Sequence, residues 1–456
     1  MVTVDKHDAI TLKISHAIGA SKQSDLDIFL FIPGELSLTK EILGENEFYY
    51  NSIQQKRTYF SDKTLLPLVH SRLAKRKRLS TTQYRVSLSL FAYQYVIALD
   101  KAVNDLTNID EDSITAEEVD VILELALDIL KRLRRSIPFE ETLKRYYANI
   151  DNYLSWYTEQ KFLALVSNMA RGEDYSVIKE RLISIAEKEQ AHRSLHNYNS
   201  SRVKQDITKM SNKMRLLRRL IEHPILLQES TITLGKNLRR ASKGIATGFV
   251  MVFVTIMAIM ARDYWGEITL SFIAIMSLLY AVREIFKDDL RDALWRWVRK
   301  NKPKWRKRYT DPTTKKTVGQ KLEWLDYKLL SSLPDRIQTI RKKRVVQREE
   351  KILHYRSETE MSTSRFMSGY EETREVSFFN LRSFTRLMDK GSDKVYTLSK
   401  GQVSKEAVEK RHLFNLIVKE YDKINGAQYY RWKIVLNRSK IVAIEQIELT
   451  SSSSDE

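Results

Sequence analysis

The stretch GIATGFVMVFVTIMAIMARDYWGEITLSFIAIMSLLYAVREIF, residues 244–286, decides the predicted fold. It contains two runs without a charged side chain, 245–261 and 268–282. At 1.5 Å per helical residue the first run is about 26 Å long, which approaches the ~30 Å hydrocarbon thickness of a bilayer. The turn between the runs carries Tyr264 and Trp265, residue types that concentrate at membrane interfaces. The pattern therefore favours a transmembrane hairpin over a buried helical hairpin of a soluble protein.

Basic residues flank the hairpin and predict its orientation. They precede the first run and follow the second: Lys236, Arg239, Arg240, Lys243, Arg283, Lys287 and Arg291. The turn, in contrast, holds one arginine against Asp263 and Glu267. Because Lys and Arg stay on the cytoplasmic side, we expect an integral membrane protein with two spans and both termini in the cytoplasm. A bacterial inner membrane is the expected location.

Small residues recur four positions apart in both predicted spans. Gly244 and Gly248 have the GxxxG spacing, and Ser277 and Ala281 repeat it in the second span. Small side chains let transmembrane helices approach closely. We expect these four residues to pack the two helices of one hairpin together, with contacts between hairpins in a homo-oligomer as the alternative.

The segment 283–309 predicts a basic amphipathic helix that lies along the membrane surface. Its apolar residues recur at helical spacing, and eight basic residues occur between positions 296 and 308 without an acidic one. Each basic side chain near an anionic leaflet contributes roughly 1 kcal/mol. The candidate lipid-binding residues are Arg296, Arg299, Lys300, Lys302, Lys304, Trp305, Arg306, Lys307 and Arg308. An anionic lipid leaflet is the expected partner, with single-stranded nucleic acid or a solvated charged face as alternatives.

The overall composition supports an anionic partner and excludes several kinds of site. The net charge is +19 over 456 residues, and a surplus of this size favours lipid or nucleic acid. The chain has no cysteine, which excludes disulfides, thiolate metal sites and cysteine nucleophiles. It also lacks a Walker loop and the GxSxG, HExxH and GxGxxG motifs. No cofactor is therefore predicted, and no motif names a reaction.

Strand patterns at both ends of the chain and helical patterns between them predict a mainly α membrane protein with a helical bundle and an α+β cytoplasmic part. The hairpin returns both ends to one side, so the terminal strands are expected to pair there. Alternation on both sides of Asn437 indicates a C-terminal β-hairpin, whereas Ser404 is expected to cap a helix. The predicted boundaries are 1–38 for N-terminal strands, 39–243 for cytoplasmic helices, 244–282 for the transmembrane hairpin, 283–309 for the interfacial helix, 310–394 for helices and loops, 395–449 for an α+β element and 450–456 for a disordered tail.

A short heptad pattern ends the cytoplasmic helices. Apolar residues follow one another at spacings of four and three over 203–221, namely Val203, Ile207, Met210, Met214, Leu217 and Ile221. This spacing is typical of a coiled-coil seam. About three heptads are the shortest repeat that supports a coiled coil, so packing inside a helical bundle stays open.

The candidate metal ligands are Glu189, His192 and His196 in one segment and Glu409 and His412 in another. Two Glu-x-x-His pairs on separate helices resemble the ligand pattern of di-iron bundles, which also need carboxylates from two further helices. With 58 acidic and 8 histidine residues, such spacings also arise by chance. A surface ion pair is the ordinary interpretation of each pair.

The expected function follows from the anchor and from the abundance of helical surface. We expect a membrane-anchored interaction or scaffold protein that faces the cytoplasm and binds a protein partner through its helices. An oligomeric pore-forming effector is one alternative, although neither span carries the ionisable residues that usually mark a transport path. An enzyme that acts on a lipid or a membrane-bound substrate is the other.

Overall fold

Strands from the two ends and the middle of the chain form antiparallel sheets in the computed structural model. The structure describes residues 2–18, 23–38, 42–60, 80–107, 116–169, 176–265, 270–341, 350–362, 372–388, 392–399, 402–423 and 426–449. Of these, about 53% are helical and 31% are strand, so the protein is a mixed α+β structure rather than a mainly α one. The predicted tail at 450–456 lies outside the described residues.

Fourteen strands are described. They are β1 (Val2–Lys6), β2 (Thr11–Ile18), β3 (Gln23–Ile32), β4 (Ile53–Phe60), β5 (Gln228–Thr233), β6 (Trp305–Thr310), β7 (Thr317–Leu329), β8 (Lys351–Met361), β9 (Glu372–Asn380), β10 (Ser392–Ser399), β11 (Gln402–Glu409), β12 (His412–Asp422), β13 (Gly426–Leu436) and β14 (Ile441–Ile447). Eight of them form one sheet in the order β14-β13-β12-β3-β8-β7-β6-β5, and four form a second sheet in the order β1-β2-β9-β4. Strands β10 and β11 form a separate two-stranded ribbon.

The two large sheets meet at both of their edges. On one side the amide of Leu227, just before β5, donates to the carbonyl of Arg57 in β4 over 2.9 Å. On the other side the amide of Ile441 in β14 donates to the carbonyl of Ala9, which follows β1. Apolar side chains of both sheets pack into one core between them. We call this closed assembly the barrel.

The helices divide into a bundle, a long hairpin and short segments. The bundle contains α2 (Thr81–Thr107), α3 (Ala116–Arg134), α4 (Glu141–Asn168), α5 (Ser176–Leu195), α6 (Ser201–Lys204) and α7 (Ile207–Glu222). The hairpin consists of α8 (Lys236–Trp265) and α9 (Leu270–Arg299), and the short segments are α1 (Glu45–Ser52), α10 (Asp335–Arg341) and α11 (Arg382–Thr385). The bundle is inserted between β4 and β5, and the hairpin between β5 and β6. Because β5 enters from the bundle and leaves into the hairpin, the two insertions leave opposite ends of this strand.

The heptad helix α7 packs inside the bundle. Met214, Leu217 and Ile221 are buried in the same core as α2 to α5, and Met210 is partly buried against it. Ile207, the residue that begins the helix, is exposed. The apolar seam is therefore covered by other helices of this chain, as the bundle alternative predicted.

Several segments predicted as helix or loop are strands. The predicted helix that begins at Ser404 is the pair β11 and β12, and the predicted region 310–394 contains strands β7, β8 and β9 and the start of β10. Strand β12 is buried on both faces, with Phe414 toward the barrel core and Ile417 under α10. A strand covered on both sides reads as a continuous apolar run, which sequence alone cannot distinguish from a buried helix. Strand β3 near the N-terminus pairs with β12, so the two ends of the chain share one sheet, although the sequence predicted β12 as a helix.

Candidate functional site

The long hairpin replaces what would otherwise be a tight turn between two neighbouring strands. Thr233, at the end of β5, pairs with Trp305 at the start of β6. One residue further, the amide of Leu234 donates to the carbonyl of Lys304 over 2.9 Å. The chain thus enters and leaves the hairpin at the same end of one strand pair.

Two described helices are long and apolar enough to cross a membrane, by length and composition. The first, Thr81–Leu106 in α2, has a mean hydropathy of 1.2 and lies 72% buried within the bundle. The second, Lys236–Asp263 in α8, has a mean hydropathy of 2.3 and is only 17% buried. The partner helix α9 is apolar up to Val282 and carries charged residues from Arg283 onward. The exposed apolar surface therefore lies on α8 and on the first half of α9.

The buried apolar residues described on α8 are not the small residues that were predicted to pack the hairpin. Ala246, Val250 and Ala261 are the buried apolar residues of α8. Gly244 and Gly248 are exposed, and a Cβ atom added at either position would meet nothing within 4 Å. Ser277 and Ala281 of α9 are exposed as well. The four predicted residues therefore do not form the contact between these helices, and the homo-oligomer alternative stays a prediction.

Aromatic and basic side chains join the bases of α8 and α9 at the point where they leave the barrel. The ring of Trp295 lies 5.0 Å from the guanidinium of Arg299 on its own helix and 5.9 Å from that of Arg239 on α8. Gly235 has a φ of +90°, and a Cβ atom there would lie 3.3 Å from the same indole. Glycine thus permits both the turn out of β5 and the close approach of Trp295.

The predicted interfacial helix ends earlier than its basic run. Helix α9 ends at Arg299, and residues from Trp305 onward form β6. In this strand Trp305 is fully buried and stacks on Tyr49 with ring centroids 3.7 Å apart. Lys304 and Lys307 are buried too, and the Lys304 ammonium lies 2.6 Å from a carboxylate oxygen of Glu45.

Four residues of the predicted lipid-binding set remain at the hairpin base. They are Arg296, Arg299, Lys300 and Lys302. Arg308 is exposed on β6, and Arg306 is half-buried on the same strand. The helical prediction is wrong beyond α9 because Trp305, Lys307 and Tyr309 alternate with outward-facing residues, which is the period of a strand.

A cluster of charged side chains lies between the two sheets of the barrel. We call it the ionic cluster, and its members are Arg57 (β4), Glu229 (β5), Lys307 (β6), Lys321 and Glu323 (β7), and Glu375 (β9). The side chains of all except Glu229 are almost completely buried. Removing charged groups from water costs several kcal/mol each unless partners compensate them.

Lysine and arginine residues alternate with glutamates through this cluster. The Lys321 ammonium lies 2.5 Å from Glu375 and 3.5 Å from Glu323. Arg57 pairs with the other oxygen of Glu375. Lys307 lies 3.7 Å from Glu323 and 3.6 Å from Glu229. Three cations therefore face three carboxylates, so the cluster is balanced when all six groups are ionised.

Hydroxyl and amide groups complete the coordination of the charges. Tyr49 and Tyr355 both donate to Glu323, and Gln55 donates to the Tyr355 hydroxyl over 2.7 Å. Burial, with Glu323 close by, raises the pKa of both tyrosines, so they stay protonated donors. Burial alone would also raise the pKa of Glu375, but Lys321 and Arg57 outweigh it and hold that pKa well below its usual range.

A cleft of about 400 Å³ opens beside the ionic cluster, where the bundle joins the barrel. Its lining residues are Gln55, Lys56, His223, Leu226, Leu227, Gln228 and Glu229. Gln55 and Glu229 are shared by the cleft and the cluster, because both contact the Lys307 ammonium. Burial raises the pKa of Glu229 against the opposing effect of Lys307. A polar ligand in the cleft would therefore meet the edge of the cluster first at Gln55 and Glu229.

The first candidate metal group is part of an ion-pair network in the bundle. The Glu189 carboxylate accepts two hydrogen bonds from the Arg134 guanidinium, over 3.0 and 2.6 Å. Arg134 also donates to Asp151, which lies 2.9 Å from Nε2 of His192. The His196 ring lies beside that of His192 with centroids 4.3 Å apart. Glu189 and Asp151 thus compensate an arginine, which leaves them poorly suited to bind a cation.

The second candidate metal pair is not on a helix. Glu409 ends β11 and His412 begins β12. Asn437 donates to Glu409, and Nδ1 of His412 lies 3.3 Å from Glu35. Within the part of the chain that the structure describes, no group of three or more His, Cys, Asp or Glu residues could hold a metal ion. The helical Glu-x-x-His spacing therefore has no counterpart here.

Sequence reasoning missed the ionic cluster because its members come from five strands that are far apart in the chain. A signal existed in Lys321 and Glu323, which are two residues apart and therefore share one face of a strand. No protein-family model, curated protein or solved structure matches this chain. Any functional conclusion must therefore start from the hairpin, the ionic cluster and the cleft themselves.

Proposed function

We propose that the protein is a membrane-anchored scaffold whose hairpin crosses a bilayer and holds the barrel and the bundle on the cytoplasmic side. One observation carries this proposal: the apolar surface of α8 is uncovered, although the strands on both sides of the hairpin belong to the eight-stranded sheet of the barrel. Large exposed apolar surfaces are rare on soluble proteins and mark contacts with membranes or partners. A lipid bilayer covers such a surface on all sides of the two helices.

The basic hairpin base supports an anionic inner leaflet as the lipid partner. Lys236, Arg239, Arg240 and Lys243 lie in the first turns of α8. Arg296 and Arg299 lie in the last turn of α9, and Lys300 and Lys302 follow it. Asp263 lies at the opposite end of the hairpin instead, and a second acidic residue, Glu267, follows it in the sequence. This asymmetry is the one that positive-inside topology requires.

The bundle is the proposed surface for a protein partner. It is connected to the end of β5 opposite the hairpin. Several large apolar side chains on it are exposed, among them Phe139, Val177, Leu195, Ile207 and Leu216. Aromatic and aliphatic side chains of this kind anchor protein interfaces when a partner covers them.

Membrane extraction with and without the hairpin tests the anchor. Because Leu234 and Lys304 already lie side by side, residues 235–303 can be replaced by Asn-Gly, which favours a two-residue β-turn. We expect the full chain to stay with membranes after washing at alkaline pH and the shortened variant to be soluble with an unchanged thermal midpoint. Release of the full chain by the wash would overturn the anchor.

Labelling of introduced cysteines tests the orientation. The chain contains no cysteine of its own, so D263C and S452C each provide one labelling site. We expect an impermeant maleimide to label D263C in intact cells and S452C only after lysis. The reverse pattern would place the barrel on the outer side.

We propose ligand binding or catalysis at the ionic cluster as a second function, because the cluster lies beside an open cleft. Buried charges contribute little net stability, and perturbed titratable groups in clefts are typical of functional sites. The protein purified in lipid discs is expected to retain a small polar molecule that a Gln55→Leu variant loses. Identical small-molecule content in both preparations would refute this proposal.

The pore alternative stays a prediction that dye release from vesicles can test.

A further inference from the structure

The ribbon formed by β10 and β11 leaves the barrel at the same end as the hairpin. Strand β7 pairs with β6 at the hairpin end and continues to Leu329, which pairs with Lys351 of β8. Lys351 pairs in turn with Ile32 at the end of β3. The residue before it in β3, Phe31, pairs with Asn415 of β12. The start of β12 therefore lies at the hairpin end of the sheet, and the ribbon directly precedes β12.

The ribbon projects from the barrel instead of joining either sheet. Its two strands pair only with each other among the described strands. A hydrogen bond from Asn437 to Glu409 ties its base to the turn between β13 and β14. The described side chains along its length are exposed, namely those of 394–396, 398, 403–405 and 408–409. An isolated two-stranded ribbon is marginally stable in water, so this one needs a surface to rest on.

One face of the ribbon is apolar with a basic border. In the ribbon Leu398 is opposite Val403, and Tyr396 is opposite Lys405, so these four side chains share a face. Lys394 lies two residues before Tyr396 and therefore on the same face. Leu398, Val403 and Tyr396 are 76%, 69% and 64% exposed. We call these five residues the ribbon face.

The chemistry of the ribbon face matches the headgroup region of an anionic leaflet. Residues 394–405 contain three lysines and no acidic residue. Tyrosine and lysine side chains place an apolar body in the hydrocarbon and a polar end among the headgroups. Both the charge and the position at the hairpin end therefore favour lipid over a protein partner as the occupant.

We propose that the ribbon is a second membrane contact, whose ribbon face enters the leaflet that surrounds the hairpin base. This inference rests on the proposed membrane anchor. The two contacts together would hold the barrel at a defined tilt, since a hairpin alone leaves the barrel free to swing about its base. The ribbon would add affinity for anionic lipid through Lys394 and Lys405.

Depth measurements on the full chain in lipid vesicles test the ribbon and the anchor separately. Single cysteines are introduced as M257C in α8, L398C on the ribbon face and T314C in the turn between β6 and β7. That turn lies at the opposite end of β6 from the hairpin. Each variant carries an environment-sensitive NBD dye, and lipids spin-labelled along their chains act as quenchers.

We expect strong quenching at M257C and L398C and none at T314C. Quenching at M257C with L398C as unquenched as T314C would overturn the ribbon inference and leave the anchor intact. An unquenched M257C would overturn the anchor itself. Burial of the ribbon against a protein partner would also leave L398C unquenched, so that outcome counts against lipid.

Charge reversal on the ribbon face identifies the lipid chemistry. We expect the quenching of L398C to be several-fold weaker in vesicles of neutral phosphatidylcholine than in vesicles with added phosphatidylglycerol. The K394E/K405E variant is expected to remove that difference, while K131E/K144E in the bundle retains it. Equal quenching in both lipids for the unmodified ribbon would refute the electrostatic part of the proposal.

Discussion

The two long apolar helices of this protein, α2 and α8, lie in opposite environments. Both pass the same test of length and composition for a membrane span. Helix α2 packs within the bundle and is 72% buried over its apolar window, whereas α8 is 17% buried over its own. Apolar content alone therefore does not distinguish a bundle core from a candidate span.

Polar side chains distinguish the two helices. In α2 the Tyr95 hydroxyl lies 2.7 Å from Thr158 Oγ1 on α4, and Ser89 contacts a tyrosine on the same neighbour. In α8 the hydroxyls of Ser242 and Thr247 donate to carbonyls one turn earlier in their own helix. A helix in lipid has to satisfy its polar groups internally, whereas a bundle helix can rely on neighbouring helices.

Matched aspartate substitutions give the largest expected contrast between the helices. Phe91 in α2 is fully buried, so Phe91→Asp creates a cavity and buries a charge. We expect it to destabilise the bundle by more than about 4 kcal/mol. Phe253 in α8 is exposed, so Phe253→Asp should leave unfolding of the barrel and bundle unchanged. It should instead weaken membrane insertion by about 2.5–3.5 kcal/mol.

Urea unfolding followed by circular dichroism measures the first effect, and membrane fractionation measures the second. Phe91→Leu and Phe253→Leu are the matched controls and should each change little. Loss of the folded bundle in Phe253→Asp would mean that α8 packs against protein and not lipid.

Disruption of the ionic cluster should have the next largest effect. Lys321→Met removes the cation between Glu375 and Glu323 and leaves their charges uncompensated in the barrel. Loss of one partner from a buried ion pair costs about 3–5 kcal/mol. The double variant Lys321→Met/Glu375→Leu should recover part of that loss, as guanidinium unfolding can measure. A double variant as unstable as the sum of both single variants would show that the two residues do not interact.

Acidification should weaken the same cluster. The pKa of Glu375 is depressed in the folded protein, because Lys321 and Arg57 outweigh the effect of burial. A carboxyl group whose pKa is depressed by folding stabilises the folded state at pH values above its pKa in the unfolded chain, which is about 4.3. This stabilisation is lost as the pH falls through the pKa of the same group in the folded state. The difference in the free energy of unfolding between the native chain and Glu375→Gln should therefore become smaller below about pH 4. A difference that stays constant down to about pH 2 would contradict this assignment.

Removal of the basic charges at the hairpin base should have the smallest effect. Three single substitutions each remove one exposed cation near the proposed leaflet, namely Arg296→Gln, Lys300→Gln and Lys302→Gln. We expect each to reduce affinity for anionic vesicles by about 1 kcal/mol, and less at high salt. Lys131→Gln, Lys144→Gln and Lys188→Gln in the bundle are the controls. Equal losses in both sets would mean that net charge, and not position, drives binding.

The sequence predicted helices and strands better where the pattern of residues on one face of the element is enough to indicate its type. The apolar runs of the hairpin, the helices α3 to α5 and the strands around Asn437 follow their patterns closely. Strands β8, β9 and β12 did not, because each of them pairs with a strand far away in the chain. Strand β11 was also missed, although it pairs with its immediate neighbour β10. Strand propensity depends on neighbours across the sheet, and those neighbours are absent from a local window.

Of the candidate site, the sequence indicated the hairpin and its basic flank but misassigned the end of that flank. Lys304, Trp305 and Lys307 look like interfacial residues by composition, yet they are buried in β6. The ionic cluster had no counterpart in the prediction, since Lys321 and Glu375 meet only after the two sheets close. Spacing rules describe residues on one element and are silent about elements brought together by folding.

The sequence by itself determined what depends on composition and local period. It established the absence of cysteine, the surplus of positive charge, the two uncharged apolar runs and the helical character of the bundle. Only the tertiary structure decided which apolar helix is covered, which lysines face solvent and which carboxylates they compensate. The physical reason is that burial and electrostatics are properties of pairs, and several pairs of the ionic cluster join residues that are far apart in the chain, as Lys321 and Glu375 do at a separation of 54.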